Sequence, residues 1–134
     1  MSCNYTFDST HFLKFAKELK EKENLLLEDC DCNVKQCIYR TIISRAYYSA
    51  FLSAQEKINK TKYKKSLQKG IRNVGSHNAV IDILLEINFQ ASNYLSILKK
   101  LRVDADYNLD ALIDNDIVLR SIQLSENTIK LLKK

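Results

Sequence analysis

Two short stretches place an arginine five positions ahead of a second polar ring: Arg72-Asn73-Val74-Gly75-Ser76-His77 and Arg102-Val103-Asp104-Ala105-Asp106-Tyr107. In the first, the arginine can hold a phosphate through two parallel N–H groups and stabilise charge that develops on it. The histidine titrates near neutral pH and can take a proton from a ribose 2′-hydroxyl or return one to the leaving oxygen. Ser76 and His77 open a predicted helix, whose unpaired N–H groups favour an anion. Those parts are the minimum for cleaving RNA without a metal. They also have a purely structural reading. With five arginines in the chain the spacing arises readily by chance, and a histidine just inside a helix start often serves packing or capping.

In the second stretch Asp106 can pair with Arg102, or with Arg45 across a bundle. Such an Arg–Asp–Tyr network most simply anchors a loop through charge-assisted hydrogen bonds. A third feature is Ser44-Arg45-Ala46-Tyr47-Tyr48-Ser49-Ala50-Phe51. Arg45 stands between apolar stripes, where a charge needs a partner or must line a cleft. Tyr48 shares its face and can carry a hydroxyl to the same place.

Other chemistries find little support. Cys30, Cys32 and Cys37 have the spacing C-x-C-x-x-x-x-C with no histidine beside them, a poor match to a structural zinc site. Together with Cys3 they read as reduced thiols, and neither metal nor cofactor is expected. There is no G-x-S-x-G, no H-E-x-x-H and, with two glycines in all, no phosphate-cradling glycine loop.

The formal charge of +5 is unevenly spread. Lys57, Lys60, Lys62, Lys64, Lys65, Lys69 and Arg72 fall in a stretch without a single acidic residue, whereas Asp104 to Asp116 carries five aspartates and no basic residue. The basic segment is either a phosphate-binding surface, with Lys65, Lys69 and Asn73 as its contacts nearest the candidate site, or a solvated lysine-rich connection. Tyr63 is its one aromatic, too few for a base-stacking platform.

The elements that must position these groups are helical. The chain has 134 residues, 46% hydrophobic, with no proline. It supports one compact domain over residues 1–134 and lacks the turn residues of a sandwich or barrel. The apolar spacing predicts four helices of about 18 to 25 residues and hence an antiparallel bundle. The first starts near Ser9 or Thr10, either of which suits as its cap, with Phe12, Phe15 or Ala16, Leu19, Glu23 and Leu26 on one face. The second runs from about Val34 to Ile58 and carries two apolar stripes, so it is central. The segment 59–75 reads as a loop with a short turn at 64–69. The third helix runs from Ser76 to about Leu101, and the acidic segment 103–114 connects it to a fourth, from Asn115 or Asp116 to Lys133. A straight third helix is about 30 Å or more long. It would hold His77 and Arg102 far apart in one chain, so that only dimerisation could join them. No apolar run spans a membrane and no basic-then-apolar leader opens the chain, so the expected compartment is the cytoplasm.

Ser44-Arg-Ala-Tyr-Tyr-Ser-Ala-Phe51, then Gly75-Ser-His77 with Val80-Ile81, then Leu101-Arg-Val-Asp-Ala-Asp-Tyr107 form an ordered set of signatures. In order and spacing the chain resembles the HEPN domain superfamily of prokaryotes, over residues 30 to 133. The closer likeness is to its small stand-alone branch, marked by S-R-A-Y-Y-A-A-F and L-R-x-x-A-D-Y. The resemblance implies an up-and-down bundle of four to five helices that dimerises, with functional residues gathered at the dimer interface. Many members are metal-independent endoribonucleases of toxin–antitoxin, phage-defence or CRISPR-linked systems. Others act with a small nucleotidyltransferase partner, and some are inactive binding modules.

The family's catalytic pair is an arginine and a histidine four to six residues apart, often with Asn, Asp or His after the arginine, a pattern that Arg72-Asn73 and His77 fit. In many members, however, that pair follows the third helix, where this chain has Arg102 and Tyr107. Two sites are therefore expected to compete: Arg72 with His77, or Arg102, Asp106 and Tyr107 with His77 contributing. The implied activity is RNA cleavage by 2′-hydroxyl attack, with Arg45 and Tyr48 also binding substrate. The alternative is a non-catalytic module that binds a nucleotidyltransferase or a nucleotide.

Overall fold

A computed structural model describes residues 7–26 and 32–134, all of them in helices and their connections. The seven helices among the described residues are α1 (Thr10–Glu21), α2 (Glu23–Leu26), α3 (Cys32–Asn59), α4 (Lys64–Val74), α5 (Ser76–Ile87), α6 (Phe89–Tyr107) and α7 (Asn115–Leu132). The all-α class expected from composition is therefore observed. None of these helices is long and apolar enough to cross a membrane.

α3 is the central element, packing on α1, α6 and α7 and also on α5. Its two apolar stripes explain why. Ile43, Tyr47, Ala50, Ala54 and Ile58 are buried along one side, and Ile42, Ala46 and Ser49 along the other. The small residues let backbones approach closely. Ser125 of α7, for example, donates to the Ala46 carbonyl at 2.6 Å.

Four expectations need correction. The predicted third helix is two helices, broken at Asn88. That residue is extended (φ −154°, ψ 101°), and its side chain accepts from the Ala91 N–H at 3.0 Å as the N-cap of α6. Its own N–H closes α5 on the Leu84 carbonyl at 2.7 Å. A capping asparagine thus outweighs the apolar rhythm that runs through it. α6 folds back along α5, with Ser92 donating to the Ile81 carbonyl at 2.8 Å and Lys99 Nζ to Asn78 Oδ1 at 2.6 Å.

Second, the basic segment holds a full helix, α4, rather than a loop with one turn. Leu67 is buried and Ile71 and Tyr63 pack on the core beneath its lysines. Gly70 lets α4 approach α5 closely, since a Cβ there would stand 3.0 Å from that of Ala79. α4 is separated from α5 by Gly75 alone, whose φ of 85° is a conformation that favours glycine.

Third, the acidic segment begins as helix, since α6 continues to Tyr107. Arg40 of α3 holds its end by donating to the carbonyls of Asp104 (3.2 Å), Ala105 (3.0 Å), Asn108 (3.0 Å) and Ala111. A guanidinium here supplies both the missing donors and a positive charge at the negative end of the helix. Gln36 fixes the next turn, donating to the Ile113 carbonyl at 2.7 Å and accepting from its N–H at 3.0 Å.

Fourth, neither Ser9 nor Thr10 caps α1 through its side chain. Asp8 accepts from the Thr10 N–H at 2.8 Å, while the Ser9 hydroxyl pairs with Ser53. Leu13 and Ala16 form the buried face of α1, with Phe15 half exposed. The fourth predicted helix, by contrast, is α7, capped by Asp114 through the Ile117 N–H at 2.8 Å.

Candidate functional site

The doubling-back of α6 on α5 changes what one chain can assemble. His77, in the first turn of α5, and Arg102, near the end of α6, both meet α3 at Tyr47. The Tyr47 hydroxyl lies 2.6 Å from His77 Nδ1, and the Arg102 guanidinium stands 5.6 Å from the Tyr47 ring centroid. No dimer is needed to bring the two groups into one cluster, which corrects the expectation drawn from a straight third helix.

Arg102 is 8% exposed and well partnered. Its Nε donates to Asp106 Oδ2 at 2.8 Å, and its Nη2 donates to Tyr48 Oη at 2.9 Å and Tyr107 Oη at 3.4 Å. The i,i+4 spacing on α6 puts Asp106 directly below the guanidinium. Nη1 has no hydrogen bond among the described residues and is left for a ligand or water. Arg45 also lies over the Tyr48 ring, its guanidinium 5.0 Å from the ring centroid against 5.2 Å for Arg102. Arg45 donates to Ser44 Oγ at 3.2 Å and also covers Phe12 at 5.2 Å. Asp106 therefore pairs with Arg102 and not with Arg45. Two guanidiniums lie against one tyrosine ring, and the one carboxylate is bonded to Arg102 alone, so the cluster carries excess positive charge suited to an anion.

His77 sits among aromatic rings, with Phe51 at 4.6 Å, Tyr47 at 5.6 Å and Tyr48 at 6.2 Å between centroids. Burial lowers its pKa below the ordinary value, and the positive charges of Arg102 and Lys99 lower it further. Tyr47 is fully buried, and burial raises its pKa, so it stays protonated. Its hydroxyl hydrogen has no acceptor but His77 Nδ1 among the described residues. With Tyr47 as the donor, the neutral imidazole carries its proton on Nε2. In the opposite tautomer Nδ1–H donates to Tyr47 Oη and Nε2 is a free base, at the cost of leaving the tyrosine proton unpaired.

Tyr47→Phe is expected to release this lock. In two-dimensional ¹H–¹⁵N spectra of the His77 ring, wild-type Nδ1 should resonate as an unprotonated nitrogen and Nε2 as a protonated one, while the variant should show the two averaged. The stability loss should be about 1 kcal/mol by thermal unfolding. An unchanged ring spectrum would contradict the assignment of the tautomer.

The remaining sequence candidates lie elsewhere. Arg72 is exposed in the last turn of α4, and no hydrogen bond, ion pair or ring contact joins it to His77. Asn73, Lys65 and Lys69 are exposed on the same helix. The Arg–Asp–Tyr cluster is the one that includes His77. Tyr107 is 69% exposed and stacks on Arg102 at 5.4 Å. Sequence reasoning missed Tyr47, read as part of an apolar stripe, and Lys99, whose charge reaches His77. Cys32 and Cys37 are exposed free thiols at the start of α3, while Cys3 and Cys30 lie outside the described residues. Among the described residues no three His, Cys, Asp or Glu side chains cluster as a metal site would require. Compared with known proteins, the chain matches no family model, no curated protein and no solved structure.

Proposed function

We propose that this protein is a metal-independent endoribonuclease of the HEPN type, a toxin–antitoxin or phage-defence component that works in the cytoplasm as a homodimer. The observation that carries the reading is the convergence of His77 and Arg102 on Tyr47 within one chain. A neutral imidazole stands beside a guanidinium with an unused Nη1, under an excess of positive charge. In the proposed reaction Arg102 holds the scissile phosphate, with Arg45 and Tyr48 beside it. His77 first exchanges its Nε2 proton with solvent for one on Nδ1, the tautomer in which Tyr47 accepts from Nδ1–H. The freed Nε2 then takes the 2′-hydroxyl proton to give the imidazolium. The 2′-oxygen bonds to phosphorus, the bond to the 5′-oxygen breaks, and the imidazolium returns its proton to that oxygen. A 2′,3′-cyclic phosphate remains. Lys65, Lys69, Arg72 and Asn73 on α4 draw in the strand at longer range.

In this reading α1, α3, α6 and α7 are the four helices of the bundle, and the α4–α5 pair is an addition to it. Support for a dimer comes from the end of α6 and the segment after it, where Tyr107, Leu109 and Leu112 expose 69%, 85% and 80% of their surface. Exposed large apolar groups grouped in this way favour a partner. Purified protein is expected to cleave RNA equally well with and without a chelator, leaving cyclic phosphate ends visible by mass spectrometry. Activity lost on chelation would overturn the mechanism.

A second reading is a non-catalytic module that binds a nucleotidyltransferase or a nucleotide. What favours it is the extent of the Arg102 network, whose Asp106, Tyr48 and Tyr107 contacts would equally well be a rigid scaffold. Clean protein without cleavage activity, bound stably to a nucleotidyltransferase, decides for it.

A further inference from the structure

The α5–α6 hairpin leaves a groove of about 470 Å³ along its outer seam, between Asn78 and Ile81 on α5 and Lys99, Lys100, Val103 and Asp104 on α6. It is distinct from the His77–Arg102 cluster but abuts it at two points. Asn78 follows His77 directly, and Lys99 bridges the seam to Asn78 Oδ1 at 2.6 Å while its charge reaches the His77 ring. At the other end Val103 stands one helical turn before Tyr107, the exposed ring of the cluster.

The lining is chemically mixed. Ile81 and Val103 give an apolar floor, with Val103 38% exposed. Lys99 and Lys100 stand at the rim as cations, and Asn78 and Asp104 provide a hydrogen-bonding amide and an acceptor-only carboxylate. A flat ring that is apolar on its faces and polar at its edge fits that floor and those acceptors, and a phosphate attached to it fits the lysines. A peptide of acidic residues would satisfy the lysines but would set its own carboxylates against Asp104 and leave the floor uncovered.

We propose that this groove is the subsite for the RNA nucleotide adjoining the scissile phosphate, its base over Ile81 and Val103 and its phosphate between Lys99 and Lys100. This rests on the ribonuclease reading for the identity of the strand. It adds a place where base preference is set, since Asp104 accepts hydrogen bonds and favours bases that present an amino group on the exposed edge.

The test is backbone amide NMR on the full-length ¹⁵N-labelled protein, titrated with an uncleavable 2′-fluoro tetraribonucleotide, with adenosine monophosphate, with inorganic phosphate and with a tetraglutamate peptide. The tetranucleotide is expected to shift the amides of Asn78, Ile81, Ser96, Lys100 and Val103 in a saturable way. The mononucleotide should move the same amides with weaker affinity, and phosphate alone should leave Ile81 and Val103 unmoved. Lys100→Glu, at an exposed position outside the catalytic cluster, should weaken the tetranucleotide at least tenfold while leaving the melting temperature unchanged. Equal shifts with phosphate or with tetraglutamate overturn the proposal, as does a tetranucleotide that shifts only the His77–Arg102 cluster. The two readings fail separately. Groove binding by a protein that cleaves no RNA removes the ribonuclease and keeps a nucleotide site, whereas cleavage with no groove shifts removes the subsite alone.

Discussion

Replacing His77 with alanine is expected to lower RNA cleavage by about 10²- to 10⁴-fold, the range that a positioned acid–base group contributes. The imidazole is the group in the cluster able to exchange a proton near neutral pH, because Tyr47 is held protonated by burial. The substitution also leaves the Tyr47 hydroxyl without its acceptor in a buried place, which should cost about 1–3 kcal/mol of stability. For a domain of this size that is a fall of several degrees in melting temperature. Activity must therefore be compared well below the melting temperature of the variant. Retention of more than a tenth of wild-type cleavage under those conditions sinks the catalytic assignment.

The pH dependence has a definite sign. The pKa of folded His77 lies below its ordinary value of 6.5, so the unfolded chain binds the proton more tightly. Above pH 6.5 neither state is protonated, and the difference has no effect. As pH falls below 6.5 the unfolded state gains the proton first, and stability is lost until the folded pKa is reached. His77→Ala should remove that part of the slope. Cleavage by wild-type protein should follow the neutral ring, rising through a midpoint below 6.5 and levelling off above it.

The parts of this arrangement that sequence reveals are those set by one element at a time. The two stripes of α3 and the start of α7 at Asn115 are local patterns, and they fold as their residues dictate. What stayed hidden depended on a single side chain overriding a rhythm or on two elements meeting. Asn88 occupies an apolar register position, so periodicity carries straight through it. Its cap is a matter of one hydrogen bond to Ala91, and that bond turns one helix into the hairpin that joins His77 to Arg102. Tyr47 reads as core because its ring is core. Its hydroxyl gains a meaning only when α5 crosses it. Arg40 has no motif around it, and its role arises from carbonyls 64 to 71 residues away. The pairing of Arg72 with His77 followed from closeness in sequence, but Gly75 turns the chain between them and the two residues belong to different helices.

Arg102 should be the most sensitive position for both folding and chemistry, and the two effects can be separated. Arg102→Ala leaves Asp106 without its partner and frees two tyrosine hydroxyls. Breaking a buried pair costs about 3–5 kcal/mol, and because the Asp106 side chain is 25% exposed, about 1–3 kcal/mol is the reasonable expectation here. If the guanidinium also holds the phosphate, cleavage should fall about 10²- to 10³-fold beyond anything unfolding explains. Arg102→Lys sharpens the comparison. It keeps the charge, but one ammonium cannot reach Asp106, Tyr48 and Tyr107 together and still offer a free donor. A phosphate-holding role therefore demands that lysine lose most of the activity even where it restores most of the stability. A purely structural role demands that activity and stability recover in step. Asp106→Asn divides the cases again. It removes the carboxylate and leaves the cation less neutralised, so a scaffold should loosen while phosphate affinity should rise. Measuring melting temperature and cleavage rate for these three variants places Arg102 on one side or the other. Cleavage within threefold of wild type in a folded Arg102→Lys protein would leave it as the scaffold that its three side-chain partners also allow.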